Sequence, residues 1–271
     1  MQARSVNMPR ARRVVLAAAL GACLLSGAMP AAAADLLDAA KTRGTLRIGL
    51  EGSYPPFNFK DPASGDLAGY DVDVARLVAA HLGLKPEFVT VEWSAILGGL
   101  GAGRYDVIVS QVGITAKRRR AFDFSQPYTY SAPQLIVRKN EPANYTSLSD
   151  LKGKALGVGR DTVFEQQARA VPGIDVKSYP ATAETLQDLA FGRIDAALND
   201  SLMVAYLLKH SRLPIRAGVR VGAVERIGIA LRKGNPGLLA ALDQALIHAR
   251  ADGSLAKASM KWFGVDASRA P

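Results

Sequence analysis

The chain has 271 residues, of which 49% are hydrophobic, and a formal net charge of +10. This length and apolar content suit one large or two modest domains with real cores and exclude a minimal domain. Because acidic residues are interspersed among the Lys and Arg residues, the charge favours a solvated surface over a nucleic-acid-binding stripe.

The first 34 residues have the pattern of an export signal. Four arginines precede an apolar run over residues 14–29, and the alanine-rich residues 31–34 follow it. The run is too short for a comfortable membrane span, so we predict cleavage near Asp35. A lipoprotein anchor at Cys23 is disfavoured because no polar linker follows it. Cleavage would remove the single cysteine, which leaves no disulfide or cysteine metal site, and would lower the net charge to +6.

Short apolar strands alternate with amphipathic helical patterns in the remainder of the chain. The predicted strands cover residues 46–50, 87–91, 106–110, 154–158, 194–199 and 227–232. The predicted helices cover residues 70–82, 95–101, 162–170, 183–191, 201–209, 236–250 and 255–263. This alternation predicts an α/β fold with mostly parallel sheets, and the second half repeats the architecture of the first.

The residues directly after the predicted strands are candidates for a binding site. Ligands of open α/β sheets bind beyond the carboxyl ends of the strands. These positions hold residues 51–54, 111–115 and 160–163, and Asp200. We therefore expect the four segments to lie near one another.

Arg118 is a candidate for carboxylate binding. Its guanidinium is a rigid fork of donors that matches a carboxylate, and the nearby Thr115 hydroxyl can add a further hydrogen bond. The alternative is that residues 117–120 form a solvated basic turn, which we prefer for the other three basic residues. The residues alone leave both interpretations of Arg118 open.

Polar residues at two helix starts each have two possible roles, as a helix cap or as part of a binding site. Asp200 either caps the helix that follows it or presents a carboxylate to a cation. Residues 160–162 open another helix, whose first N–H groups form a natural anion site, with Thr162 as a possible cap at the same time.

Two aromatic residues lie near strand ends. Tyr54 and Trp93 are either core residues or two walls around the side chain of a ligand, since both combine an apolar ring with a polar group. Glu51, beside Tyr54, would then face the distal polar part of that ligand.

Several short motifs occur in a recognisable order. Residues 69–74 read Gly-Tyr-Asp-Val-Asp-Val, and further motifs occupy residues 50–57, 110–115, 123–128, 192–196 and 261–264. Together they resemble the family 3 bacterial solute-binding proteins, the polar amino-acid receptors of ABC importers. The resemblance spans essentially all of the mature chain. Residues 50–57, Trp93 and the 111–115 turn are most similar to the cystine-binding branch.

The resemblance implies the two-lobed fold of type II periplasmic binding proteins, with two hinge strands. Lobe 1 would comprise residues 35–127 and 228–271, and lobe 2 residues 133–222. The hinges would then be residues 128–132 and 223–227. A ligand bound between the lobes would favour the closed form.

The resemblance also implies the ligand-binding residues. Carried over by position, they are Glu51, Tyr54, Trp93, Ser110, Gln111, Gly113, Thr115, Arg118, Thr162, Val163 and Asp200. Arg118 would hold the ligand's α-carboxylate with Thr115 and the backbone N–H groups near Thr162 and Val163, and Asp200 would hold its α-ammonium. Tyr54 and Trp93 would enclose the side chain, and Glu51 and Gln111 would contact its far end. Gly113 departs from the family pattern, which usually has Ser or Thr there.

The resemblance thus predicts a monomeric periplasmic protein that binds an amino acid, L-cystine above all, and delivers it to an inner-membrane permease and ATPase. No cofactor, metal or nucleic acid is expected. The ligand could instead be another polar or basic amino acid. The chain could also be the sensor domain of a receptor, or an enzyme such as a cyclohexadienyl dehydratase. The helical positions of His81, His210 and His248, away from the strand ends, favour a binding protein over an enzyme.

Overall fold

Two five-stranded sheets organise the structure, a computed structural model that describes residues 35–271. The predicted export signal and Cys23 lie outside the described residues. The strands are β1 (Thr45–Leu50), β2 (Ser53–Tyr54), β3 (Asn58–Lys60), β4 (Leu67–Ala68), β5 (Lys85–Thr90), β6 (Val107–Ile108), β7 (Phe122–Ser131), β8 (Pro133–Arg138), β9 (Ala155–Gly159), β10 (Asp175–Tyr179), β11 (Ala196–Asp200), β12 (Ile215–Arg220) and β13 (Glu225–Arg232).

All seven predicted helices are present, with ends shifted by at most two residues, and two short helices are added. The helices are α1 (Leu36–Arg43), α2 (Tyr70–His81), α3 (Trp93–Gly101), α4 (Ala116–Arg119), α5 (Val163–Arg169), α6 (Thr182–Ala190), α7 (Ser201–His210), α8 (Pro236–Ala251) and α9 (Ser254–Phe263), with a 3₁₀ turn at Leu148–Leu151. No helix in the described part of the chain is long and apolar enough to cross a membrane.

The two sheets have the same strand pattern. The first has the order β5-β1-β6-β13-β7 and the second β10-β9-β11-β8-β12. In each, three neighbouring strands are parallel and the fourth runs antiparallel to both of its neighbours. The predicted α/β, two-lobed fold is confirmed, and each sheet is mixed because its fourth strand is reversed.

The chain passes between the sheets twice. Ala132 alone separates β7 of the first sheet from β8 of the second, and residues 221–224 connect β12 back to β13. These passages fall within or beside the predicted hinges. The lobe limits themselves stay predictions.

Helix α2 shows how the first sheet is packed. Its residues Val74 and Val78 are buried in one apolar cluster with Ile48 of β1. Gly69 directly precedes the helix, and its φ is +125°. A Cβ there would stand 2.2 Å from the carbonyl oxygen of Phe57, so glycine is required where the chain enters the helix. Residues 69–74 therefore belong to the packing of the fold.

Candidate functional site

A cavity lies between the two sheets, beyond the carboxyl ends of β1, β6, β9 and β11. From the side of the first sheet it is lined by Glu51, Tyr54, Trp93, Gln111, Arg118, Glu225 and Ile227. From the side of the second it is lined by Gly159, Arg160, Thr162, Val163, Phe164, Pro180, Ala181, Thr182, Asn199 and Asp200. The four segments expected to lie near one another do so.

Arg118 lies in the short helix α4 and is buried, with 7% of its surface exposed. Its Nη1 donates a hydrogen bond to the carbonyl of Gly113 at 3.0 Å, and its guanidinium carbon lies 5.5 Å from the centre of the Trp93 ring. No carboxylate of residues 35–271 forms an ion pair with it. Burial lowers the pKa of Arg118, and the charge of Glu225 opposes this shift. The guanidinium is thus a buried cation that has no ion-pair partner among these residues.

The basic neighbours of Arg118 differ from it in their exposure to solvent. Lys117, Arg119 and Arg120 are exposed, as the interpretation of a solvated basic turn predicts for them. Thr115 caps α4, because its hydroxyl accepts a hydrogen bond from the backbone N–H of Arg118 at 3.1 Å.

Asp200 ends β11 and caps α7, and its position suits both of the roles that the sequence left open. Its Oδ1 accepts a hydrogen bond from the N–H of Leu202 at 2.8 Å, and its Oδ2 accepts one from the hydroxyl of Ser131. The side chain also lines the cavity and is 3% exposed. Burial raises the pKa of Asp200 to about 6, although both hydrogen bonds favour the ionised form.

Glu225 is a second carboxylate at this end of the cavity. It is the first residue of β13, and its Oε1 accepts a hydrogen bond from Gln167 Nε2 at 2.8 Å. Burial, followed by the charge of Asp200, raises the pKa of Glu225 to about 7, while Gln167 and Arg118 act in the opposite direction. Asp200 and Glu225 thus line the cavity near each other, and the negative charge of one disfavours ionisation of the other.

The two aromatic residues line the cavity in different ways. Trp93 begins α3 and lies with its ring beneath the guanidinium of Arg118. The hydroxyl of Tyr54 donates to Asn199 Oδ1 at 2.7 Å, a bond that crosses from the first sheet's side to the second's. A second bond across the cleft joins Gln167 and Glu225. The structure is therefore a closed arrangement of the two sides.

A buried carboxylate supports the first wall from behind. Asp71 of α2 accepts hydrogen bonds from Gln111 Nε2, the Tyr128 hydroxyl and Asn58 Nδ2, each at 2.8 Å. Burial raises the pKa of Asp71 to about 6. Gln111 has a φ of +50°, and its Oε1 is buried without a hydrogen-bond partner in the described structure. Gln111 is thereby fixed at the cavity, and its Oε1 atom is an acceptor that no described residue uses.

Two helix-start residues form part of the second wall. Thr162 caps α5, as its hydroxyl accepts a hydrogen bond from the N–H of Glu165 at 3.1 Å, and Val163 is the first helical residue. Both line the cavity. Glu51, opposite, is fixed by a 2.9 Å hydrogen bond from the Ser53 hydroxyl, and burial raises the pKa of Glu51.

Three of the predicted residues do not line this cavity. Ser110 is buried behind the wall, where its hydroxyl accepts hydrogen bonds from the N–H of Glu51 and from Asn58. Gly113 and Thr115 line an adjacent cleft instead, which shares Val163 and Glu225 with the cavity. The other eight predicted residues lie together.

Sequence reasoning missed Glu225 and Asn199. Glu225 lies in the predicted second hinge, so a charged residue in a segment that passes between two lobes was the available signal. Asn199 directly precedes Asp200, and only the tertiary structure shows that its amide oxygen also accepts a hydrogen bond from Tyr54.

Comparison with known proteins agrees with the fold. The model of the bacterial extracellular solute-binding proteins, family 3, matches residues 46–265. The chain belongs to this family.

Two curated relatives and one crystal structure illustrate the similarity. The chain is 38% identical over 260 residues to the L-cystine-binding protein TcyJ of Escherichia coli K12, covering 95% of this chain and 97% of TcyJ. It is 35% identical over 236 residues to the L-cystine-binding protein TcyA of Bacillus subtilis 168, covering 87% of each. The ancestral amino acid-binding protein AncCDT-1, a precursor of cyclohexadienyl dehydratase, matches with a TM-score of 0.79 and 35% identity, covering 85% of this chain and 100% of that one. All three names describe binding proteins.

Proposed function

We propose that the chain is the periplasmic, monomeric substrate-binding component of an amino-acid ABC transporter and that it binds L-cystine between its two lobes. The observation that carries the proposal is the pair Arg118 and Asp200. A buried guanidinium without an anionic partner among the described residues lines the cavity from one side, and a buried carboxylate lines it from the other. The α-carboxylate and α-ammonium of one free amino acid match these two groups.

The choice of L-cystine has two supports. The relatives TcyJ and TcyA are named as L-cystine-binding proteins. In addition, the cavity is lined by charged groups of both signs besides Arg118 and Asp200, among them Glu51 and Arg160. Cystine carries a second ammonium and a second carboxylate at its far end, so it can use charged partners that a shorter amino acid would leave unpaired.

The direct test is a ligand screen of the full chain after expression and purification from a bacterial periplasm. A ligand that binds only the native state raises the melting temperature, so each amino acid and L-cystine are screened by thermal shift and then by calorimetry. We expect L-cystine to give the largest shift. Preference for L-arginine would contradict cystine specificity, and the absence of any amino-acid response would contradict the whole proposal.

Export and transport need separate measurements. N-terminal sequencing of the periplasmic protein should place its first residue near Asp35, and an unprocessed N-terminus would contradict the predicted signal peptide. Deletion of the gene in its own bacterium should reduce uptake of the bound amino acid. Normal uptake would contradict the role in transport.

A further inference from the structure

Gly113 leaves a small gap between Arg118 and Glu225, in the cleft that adjoins the cavity. A Cβ built on Gly113 would stand 3.4 Å from Arg118 Nη1, 3.5 Å from the Val163 side chain and 3.7 Å from Glu225 Oε2. Such distances are ordinary contacts, so the backbone would accept a small side chain there. The gap is therefore bordered by a cation on one side and a carboxylate on the other.

The charges of Glu225 and Arg118 act on each other across this gap without direct contact. Among the described residues they form no ion pair, although both lie within 4 Å of the same point. The Oε1 atom of Glu225 is engaged by Gln167, whereas its Oε2 atom borders the gap. Asp200, which lines the same cavity, is near enough for its charge to act on Glu225.

We propose that Glu225 is a specificity-determining residue that gives the ligand's α-ammonium a second carboxylate, on the side of the cavity that adjoins Gly113. The inference rests on the proposed function. Two carboxylates that share one end of a cavity repel each other, and a bound ammonium relieves that repulsion. The site thereby discriminates against ligands that have the carboxylate of an amino acid but lack its ammonium.

The hydrogen bond from Gln167 defines the competing explanation. Glu225 could serve only to hold the two sides of the cleft together, in which case its charge would have no effect on the choice of ligand. A latch stabilises the closed form for every ligand by the same factor, whereas an ammonium partner stabilises only ligands that carry an ammonium.

The experiment measures discrimination rather than affinity alone. The two probes are L-cystine and 3,3′-dithiodipropionate, which is cystine without its two ammonium groups. Discrimination is the dissociation constant of 3,3′-dithiodipropionate divided by that of L-cystine. In Glu225→Gln, which keeps the shape and the acceptor for Gln167, we expect the ratio to fall at least about tenfold relative to the wild type, since one charge-assisted contact is lost. In Gln167→Met, which removes the latch but keeps the carboxylate of Glu225, the ratio should fall by much less than in Glu225→Gln.

A second variant tests the role of the gap. Gly113→Ser adds a hydroxyl beside residue 225, so in the Glu225→Gln background it should restore part of the lost affinity for L-cystine. Thermal melts of the empty variants check that each is folded. Removal of a buried carboxylate is not expected to destabilise Glu225→Gln.

The possible outcomes distinguish failure of the proposed role of Glu225 from failure of the proposed function. If the wild type prefers another amino acid, that amino acid and its deaminated acid replace the two probes. An unchanged ratio in Glu225→Gln, or an equal fall in Gln167→Met, would overturn the role of Glu225 and leave the proposed function intact. A wild type that binds no amino acid would overturn both.

Discussion

Arg118 and Asp200 reach the cavity from opposite sides with different numbers of protein partners. The side chain of Arg118 has one hydrogen bond within the described structure, to the carbonyl of Gly113, and stacks on Trp93. The carboxylate of Asp200 accepts hydrogen bonds from Ser131 and from the N–H of Leu202, where it caps α7. The cation is thus held with most of its donors unused, whereas the anion also takes part in the secondary structure.

Because of this difference, we expect Arg118 to contribute to ligand binding alone and Asp200 to contribute to both binding and stability. A buried charge without a partner lowers stability, so removal of Arg118 should affect the ligand and spare the fold. A capping carboxylate stabilises the helix that it begins, so Asp200 contributes to both. The following variants test this division.

The largest effect is expected for Arg118→Met, which keeps an apolar contact with Trp93 but removes the charge. Affinity for the amino acid should fall by about 2–5 kcal/mol, as for other buried charge partners, while the melting temperature of the empty protein stays equal or rises. Calorimetry and thermal melts measure the two quantities. Arg119→Met, at an exposed position of the same helix, is the matched control and should change neither. A large loss of stability in Arg118→Met would contradict the comparison.

Comparison of Asp200→Asn with Asp200→Ala distinguishes the role of Asp200 in ammonium binding from its role as the cap of α7. Both should weaken amino-acid binding by about 1.5–3 kcal/mol, because the ammonium loses its charged partner. Asparagine can still cap α7, so Asp200→Ala should be about 1 kcal/mol less stable than Asp200→Asn in chemical denaturation. Equal stabilities of the two variants would show that the cap contributes little.

The pH dependence of binding should also differ between the two sides. Arg118 stays charged, but Asp200, with a pKa of about 6, and Glu225, with a pKa of about 7, take up protons in acid and then no longer attract the ammonium. We expect the dissociation constant of the amino acid to rise at least about tenfold from about pH 7 to about pH 5, as calorimetry at each pH would record. The constant for 3,3′-dithiodipropionate should change less, since that ligand has no ammonium.

The stability of the empty protein should change with pH in the opposite direction. Asp200 has a folded-state pKa of about 6 against an ordinary value of 3.8, so between these values the folded state binds the additional proton. Its contribution to the free energy of unfolding is complete below about pH 4 and is lost as the pH rises through about 6. Denaturation of the wild type and of Asp200→Asn should show this slope in the wild type and a smaller one in the variant.

The smallest effect is expected for Trp93→Ala. Loss of the ring beneath the Arg118 guanidinium should weaken binding by about 0.5–2 kcal/mol, the range for cation–π contacts, and should widen the set of accepted side chains. Competition between L-cystine and L-arginine measures the selectivity. Unchanged selectivity would mean that Trp93 only orients Arg118.

Much of the fold was predictable because its central strands are apolar and each lies next to an amphipathic helix. Of the strands in the two five-stranded sheets, the residues alone did not predict β7, β8, β10 or β12. Strand β10 has the sequence Asp-Val-Lys-Ser-Tyr and lies at a sheet edge, and β7 contains Pro127, so neither has the continuous apolar pattern of a central strand. Their conformation depends on partners distant in the chain, as in the pairing of β7 with β13.

For the site, local sequence was enough to nominate the strand ends, Arg118 as one of four consecutive basic residues, and Asp200 at a helix start. Only the tertiary structure decided that Arg118 is buried without an acidic partner among the described residues and that Glu225 borders the same gap as Gly113. The physical reason is that charge, burial and empty space in a cavity depend on which distant segments meet there. A sequence pattern records the local conformation of each segment but not the contacts between segments.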